Sequence, residues 1–162
     1  MEQKTAMIAM SGGVDSSVAA YLMKSAGFTC SGAMLRMFDN TILGQEDSTC
    51  CSLDDAEDAR SVARKLSMPF HVINAKAEFD EKVIQNFIHC YECGTTPNPC
   101  IQCNRHLKFD LFLRRAQILG CDYIVTGHYA QIVYDEALGR WLLKKATDPS
   151  KDQSYVLYCL TQ

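Results

Sequence analysis

Ala6-Met7-Ile8-Ala9-Met10-Ser11-Gly12-Gly13-Val14-Asp15-Ser16-Ser17 is the stretch from which the rest of the chain can be read. An apolar run bounded by a turn signal reads as a strand buried on both faces, the kind found in parallel sheets. The double glycine with a carboxylate and two hydroxyls behind it then opens a helix. The first N–H groups of a helix point outward together with the positive end of its dipole, so this junction attracts an anion. Gly12 and Gly13 lack a Cβ, which lets the backbone turn sharply and approach a phosphate closely. A plain strand-to-helix turn with Ser and Asp as caps would use the same residue types. Two familiar phosphate loops do not fit: a Walker loop ends in Gly-Lys-Ser/Thr and there is no lysine here, and the dinucleotide loop needs a G-x-G-x-x-G spacing.

Outward from this stretch, strand and helix signals alternate. Residues 5–10 are read as a strand and Asp15 to about Ala26 as a helix ended by Gly27, and Thr29 to Leu35 supplies the next strand. Phe38 to Cys51 is polar and irregular, hence a loop, with Ser52 as the cap of a helix carrying Ala59, Val62, Ala63 and Leu66 at helical spacing until Pro69 stops it. Phe70 to Asn74 is a short strand, Glu78 to about His89 a helix, Leu107 to Leu119 another closed by Gly120, and Tyr123 to Thr126 a fourth buried strand. Such an order predicts an α/β fold, a parallel twisted sheet flanked by helices. Ligands of these sheets bind beyond the carboxyl ends of the strands, where strand order reverses, which brings Leu35 and Thr126-Gly127-His128-Tyr129 into play. Gln131 to Tyr134 and Trp141 to Lys145 read as a β-hairpin on the sheet edge, followed by the polar loop Asp148 to Tyr155.

The chain has 162 residues, enough for one domain with a sizeable core, and 48% hydrophobic with 22% charged residues is an ordinary globular balance. No run of about 18 apolar residues is present and the first residues do not read as a leader, so the expected compartment is the cytoplasm. The formal charge of −3 argues against a generally basic nucleic-acid binder. The balance is uneven: residues 1–104 carry eight Lys and Arg against thirteen Asp and Glu, residues 105–151 eight against five. The second part can form a basic face, although charges of this kind are commonly only solvated.

Nine cysteines are many for this length, and in a reducing compartment they read as thiols, metal ligands or catalytic groups. Four stand in Cys90-x2-Cys93-x6-Cys100-x2-Cys103, two pairs whose spacing lets both thiolates reach one metal or each other. Cys30, Cys50, Cys51, Cys121 and Cys159 read as packing or incidental.

With these residues in view the chain resembles the tRNA-specific 2-thiouridylase (MnmA) family of the PP-loop ATP pyrophosphatases. The likeness is carried by S-G-G-V-D-S-S at 11–17, T-P-N-P-x-x-x-C-N at 96–104 with Lys108-Phe109 after it, the segment ending T-G-H-Y-A at 126–130, and K-D-Q-S-Y at 151–155. The resemblance implies that ATP adenylates the wobble uridine of tRNA, pyrophosphate leaves, and a persulfide sulfur displaces AMP. It also implies roles. Ala9, Met10, Ser11, Gly12, Gly13, Val14, Asp15 and Ser16 would hold ATP phosphates, with Asp15 also supporting Mg²⁺, while Leu35 and Gly127 line the nucleotide site. Asn98, Pro99 and Cys100 would face the target base, Lys151, Asp152 and Gln153 the tRNA, and Cys103 would be the nucleophile, activated by nearby cations or N–H dipoles. The sulfur would come from a persulfide donor protein, a cysteine desulfurase or a sulfur carrier.

Two departures stand out. Cys100 occupies a position where many relatives have aspartate, and it can ligate an iron–sulfur cluster, pair with Cys103, or be merely tolerated. The four-cysteine set can make a zinc site, but zinc bound by all four would occupy Cys103, which favours a cluster with an open iron over closed zinc. The family also continues for about as long again, with a tRNA-binding region, a β-barrel and a second essential cysteine carrying the persulfide, none of which lies in this sequence. The expectation is a single ATP-binding catalytic domain over 1–162 that binds ATP but completes little thiolation alone. Another adenylating PP-loop enzyme and a non-catalytic nucleotide- or metal-binding module are the competing readings.

Overall fold

The computed structural model describes residues 3–38 and 53–162. The expected loop from Phe38 onward, the Ser52 cap and the pair Cys50-Cys51 fall on 39–52 and so, beyond Phe38 itself, lie outside the described residues. Four strands, β1 (Thr5–Ala9), β2 (Thr29–Arg36), β3 (Phe70–Asn74) and β4 (Tyr123–Val125), form one sheet in the order β3-β2-β1-β4, and every pairing is parallel. Thr5 faces Thr29 across β1 and β2, and Ala6 faces Tyr123 across β1 and β4.

The alternation along β1 explains the layers. Ile8 and Met10 point to one face, where Ala20 of α1 (Val14–Ser25) and Ala59 and Ala63 of α2 (Leu53–Lys65) close over them. Met7 points to the other, where it packs with Val83, Leu107 and Phe112. These last belong to two long helical rods. The first runs from α3 (Lys76–Phe79) through a π-wound stretch (Asp80–Ile84) into α4 (Gln85–Glu92), and the second from α5 (Pro99–Cys103) through a π-wound stretch (Asn104–Leu111) into α6 (Phe112–Ile118). The helices change face where the strand order reverses from β2 and β3 to β4, as consistently right-handed crossovers require.

Local signals set the helix ends. At the C-terminus of α1, Gly27 takes φ +87° and the N–H groups of Ala26, Gly27 and Phe28 return to carbonyls of the last turn, closing the helix as the glycine predicted. The second rod starts eight residues before the expected Leu107. Asn98 is its N-cap, accepting a bond from the Ile101 N–H at 3.1 Å, and Pro99 fills the first helical position, where no N–H is required. The hairpin is present as β5 (Gln131–Asp135) and β6 (Arg140–Lys144), antiparallel, and makes a two-stranded sheet of its own instead of extending the edge at β4. A 3₁₀ turn (Ser154–Leu157) follows the polar loop.

Phe112 is fully buried between the second rod and the sheet, whereas Ile118 on the same rod is 73% exposed. Phe112→Ala therefore costs about 3–5 kcal/mol of unfolding free energy in urea titration, and Ile118→Ala under about 0.5 kcal/mol. Equal costs at the two positions would contradict this packing.

Candidate active site

A cleft of about 360 Å³ opens where β1 and β4 part, beyond the carboxyl ends of the strands. Its volume lies in the usual small-ligand range of about 300–1,000 Å³. One wall is the turn after β1. Gly12 has φ +83°, and a Cβ there would meet the Asp55 carbonyl oxygen at 2.6 Å, so this position requires glycine on two counts. Gly13, extended at φ −76° and ψ 165°, is the N-cap of α1 and supplies no side chain to cover the first-turn N–H groups. The Ser16 and Ser17 hydroxyls are turned into the loop: Ser16 Oγ donates to the Gly13 carbonyl at 3.0 Å and accepts from the Ser11 N–H at 3.3 Å, and Ser17 Oγ donates to the same carbonyl at 2.9 Å. The loop is braced from within, and the positive end of α1 meets the cleft.

The opposite wall comes from the second helical rod. Cys100, Cys103, Asn104 and Lys108 all line the cleft, one helical turn after another. Cys103 Sγ lies 3.7 Å from the sulfur of Met37, which follows β2. Asn104 is 4% exposed; its Nδ2 donates to the Cys100 carbonyl at 2.9 Å, and its Oδ1 is a buried acceptor with no hydrogen-bond partner among the described residues. Asn104 closes the T-P-N-P-x-x-x-C-N segment, but its sequence position alone gives no sign of burial or of an unpaired oxygen.

The third wall is the loop after β4. A Cβ on Gly127 would stand 2.9 Å from the Asp15 carbonyl carbon and the Ser16 nitrogen, so this loop lies directly on the first turn of α1. His128 bonds through Nδ1 to Thr126 Oγ1 at 2.8 Å and stacks near Phe109 at 5.9 Å. Burial, and then the Lys108 cation, push its pKa down to about 4, so it is a neutral imidazole at neutral pH. Tyr129 donates its hydroxyl to Asp15 Oδ1 at 2.6 Å, and that bond to a carboxylate raises the phenol's pKa.

Of the residues expected to bind nucleotide, Ala9, Met10, Ser11, Asp15, Ser16, Leu35 and Gly127 line this one cleft, while Gly12 and Val14 border a shallow groove between α1 and α2. Gln153 lines the cleft as well. Asn98 and Pro99 sit at the helix start behind it, and the Asn98 Nδ2 donates to the Tyr155 hydroxyl at 2.6 Å, tying the T-P-N-P and K-D-Q-S-Y segments together. The Asp152 carboxylate shapes its own loop: the Ala146 N–H at 2.8 Å, then the Ser154 N–H and hydroxyl, hold its pKa below the usual carboxylate range. Lys151 is exposed.

The four-cysteine metal set is not assembled. Among the described residues no three of His, Cys, Asp and Glu are grouped closely enough to hold a metal ion. Cys90 on α4 donates toward Asn86 Oδ1 at 3.9 Å and Cys93 at its C-terminal cap stands 3.6 Å from His89 Nε2, whereas Cys100 and Cys103 face the cleft. No disulfide joins the described cysteines. No helix among the described residues is long and apolar enough to cross a membrane.

A parallel sheet of order β3-β2-β1-β4 with helices on both faces and a braced glycine turn at its switch point defines an α/β domain of the HUP type. The chain belongs to the family described as the tRNA methyl transferase HUP domain, which matches residues 4–162. It is 53% identical over 159 residues to a tRNA-specific 2-thiouridylase MnmA of Clostridioides difficile (strain 630), covering 98% of this chain and 44% of that one. A protein of the same name from Desulforamulus reducens is 50% identical over 162 residues, covering 99% and 44%. The chain thus spans less than half the length of these curated relatives. A glutamine-dependent NAD+ synthetase of Acinetobacter baumannii, solved with ADP, superimposes with a TM-score of 0.53 over 75% of this chain and 20% of that chain at 15% identity, a likeness of fold.

The histidine yields a pH prediction. Its folded pKa lies below the ordinary 6.5, so the unfolded chain takes up a proton that the folded chain does not as pH falls from about 6.5 to 4. Stability from this group is complete above that window and is lost on the way down through it. In an NMR titration the His128 ring is expected to titrate near pH 4; a midpoint at 6 or above would contradict the buried neutral imidazole.

Proposed function

We propose that this chain is the ATP-using part of an enzyme that converts the wobble uridine of tRNA to 2-thiouridine. The observation that carries the reading is the convergence of an anion-receptive helix start with Cys103 and Cys100 in a single cleft. Activation and sulfur delivery are consecutive events at one carbon. The uridine O2 is a poor leaving group until it bears a good one, so an adenylate must be made where a thiol can then reach the base. A phosphate loop and a cysteine on facing walls suit that order of events.

The chain's own groups fit the steps. The first-turn N–H groups of α1 and the Ser11 to Ser16 loop receive phosphates, and Lys108 adds positive charge on the far wall. Leu35 and Gly127 leave room for the nucleoside end. Among the described residues Asp15 is the carboxylate that lines the cleft, and together with substrate phosphates and waters it would hold magnesium, which would neutralise charge on the departing pyrophosphate. Cys103 is the nucleophile of the sulfur step, one turn from Cys100 at the positive start of its rod, with the Lys108 cation on the following turn. Asn98, Pro99 and Cys100 present the base side, and Lys151, Asp152 and Gln153 the approach of the tRNA. The sulfur arrives as a persulfide from a donor protein: its terminal sulfur attacks C2 as AMP leaves, and the Cys103 thiolate then attacks the donor's own sulfur, so that a Cys103–donor disulfide forms and the transferred sulfur stays on C2. Cys100 and Cys103 could give a cluster or zinc two ligands and the described residues bring no third, so no step is drawn through a metal there.

The names of the similar proteins support thiolation over methylation, as does a cleft with two thiols. An adenylating enzyme for a carboxylate or amide, or a module that only binds nucleotide, would share the phosphate loop but not the dependence on tRNA. The test extends the chain by the C-terminal length its relatives carry and follows pyrophosphate release with unmodified tRNA. Release that depends on the tRNA is expected; none under those conditions would overturn the reading. Cys103→Ser should remove 2-thiouridine formation while ATP affinity stays within about twofold of wild type, and persistent sulfur transfer would show that Cys103 is not the nucleophile.

A further inference from the structure

Asp15 and Tyr129 are 114 residues apart in sequence, yet the Tyr129 hydroxyl donates to Asp15 Oδ1 at 2.6 Å, a short bond to a carboxylate in the phosphate loop. Tyr129 is itself held. Its backbone N–H donates to Gln153 Oε1 at 3.0 Å, and its carbonyl accepts from the Gln153 N–H at 2.8 Å, a reciprocal pair that locks the loop after β4 to the K-D-Q segment. Two residues earlier, Gly127 lies against the Asp15–Ser16 peptide closely enough that a Cβ would not fit. Three segments from opposite parts of the chain, the phosphate loop, the loop after β4 and the 148–154 loop, are thereby joined through one tyrosine.

We propose that Tyr129 is a positioning residue that fixes the Asp15 carboxylate for the metal–nucleotide complex and is itself set by Gln153. The proposal rests on the nucleotide reading above. The bond occupies Oδ1 and leaves Oδ2, so the carboxylate keeps an oxygen for a hydrated cation while its orientation is no longer free to rotate. Groups that hydrogen-bond a metal-binding carboxylate from behind act through orientation, and their removal lowers metal affinity by about 10–100-fold without touching the metal. Because Gln153 holds both backbone groups of Tyr129, a change in the 148–154 loop moves the phenol and with it the carboxylate. A mechanical path then exists from the side where RNA would dock to the side where phosphate would bind.

Tyr129→Phe keeps the ring and removes only the hydroxyl, and the residue is 40% exposed, so the fold tolerates the change. The measurement is ATP binding to the chain by titration calorimetry, once with excess Mg²⁺ and once in chelator, together with the melting temperature. Tyr129→Phe is expected to weaken binding about tenfold or more with Mg²⁺ and by less than about twofold in chelator, at an unchanged melting temperature. Equal weakening in both conditions would make Tyr129 a direct contact or a structural prop, and no weakening with Mg²⁺ would make its bond to Asp15 incidental; either overturns the proposal. Absence of ATP binding by the wild-type chain would instead overturn the nucleotide reading, and the role of Tyr129 with it.

Discussion

The Gly127 backbone rests against the Asp15–Ser16 peptide with no room for a single carbon between them. This approach sets the distance between β4 and the start of α1, and hence the width of the cleft at the switch point. It also explains why both contributing loops are short: the chain leaves β1 at Ala9 and is helical again by Val14, and β4 ends at Val125 just before the contact. Polar residues follow immediately on each side, Asp15 and Ser16 on one and His128 and Tyr129 on the other. Their mutual positions therefore depend on backbone packing and only secondarily on their own hydrogen bonds.

The division of the core supports the same point. β1 is buried on both faces, with Ile8 against the α1 and α2 layer and Met7 against the two π-wound rods, so neither layer can shift without disturbing the strand that ends in the glycine turn. The second rod brings Leu107, Leu111 and Phe112 into that core, while Cys103, one turn before Leu107, and Lys108 line the cleft. A π-wound stretch is a costly departure from regular winding and is often found at functional sites. Here it spans Asn104–Leu111, directly after Cys103, and carries Asn104 and Lys108 of the same wall.

Much of this was legible in the sequence, for identifiable reasons. Continuous apolar runs marked β1 and β2 as buried strands, whereas β4, also expected to be buried, lies at the sheet edge with Tyr123 exposed and Ile124 and Val125 half-buried; the helical spacing of Ala59, Val62 and Ala63 marked α2, and Gly27 and Gly120 marked helix ends because only glycine takes those backbone angles easily. The start of the second rod was not, since Asn98-Pro99 serves equally well as a turn or as a cap followed by the first helical residue, and 100–106 has no apolar period to decide it. The spacing of four cysteines suggested one metal site, but spacing states only what two residues on one helix can reach together. Cys90 and Cys93 sit on α4 and at its C-terminal cap, and Cys100 and Cys103 on the next rod, facing the cleft. The bond between Tyr129 and Asp15 left no local trace, because it joins residues that only the sheet order brings together.

The central claim is that an ATP phosphate chain lies at the first turn of α1, opposite Cys103. A crystal structure with a non-hydrolysable ATP analogue and magnesium tests it most directly. The account predicts phosphate density against the backbone of Ser11 to Ser16, the nucleoside between Leu35 and Gly127, and the α-phosphate open toward the wall that holds Cys100 and Cys103. Phosphates bound elsewhere, for example in the groove between α1 and α2, would contradict it.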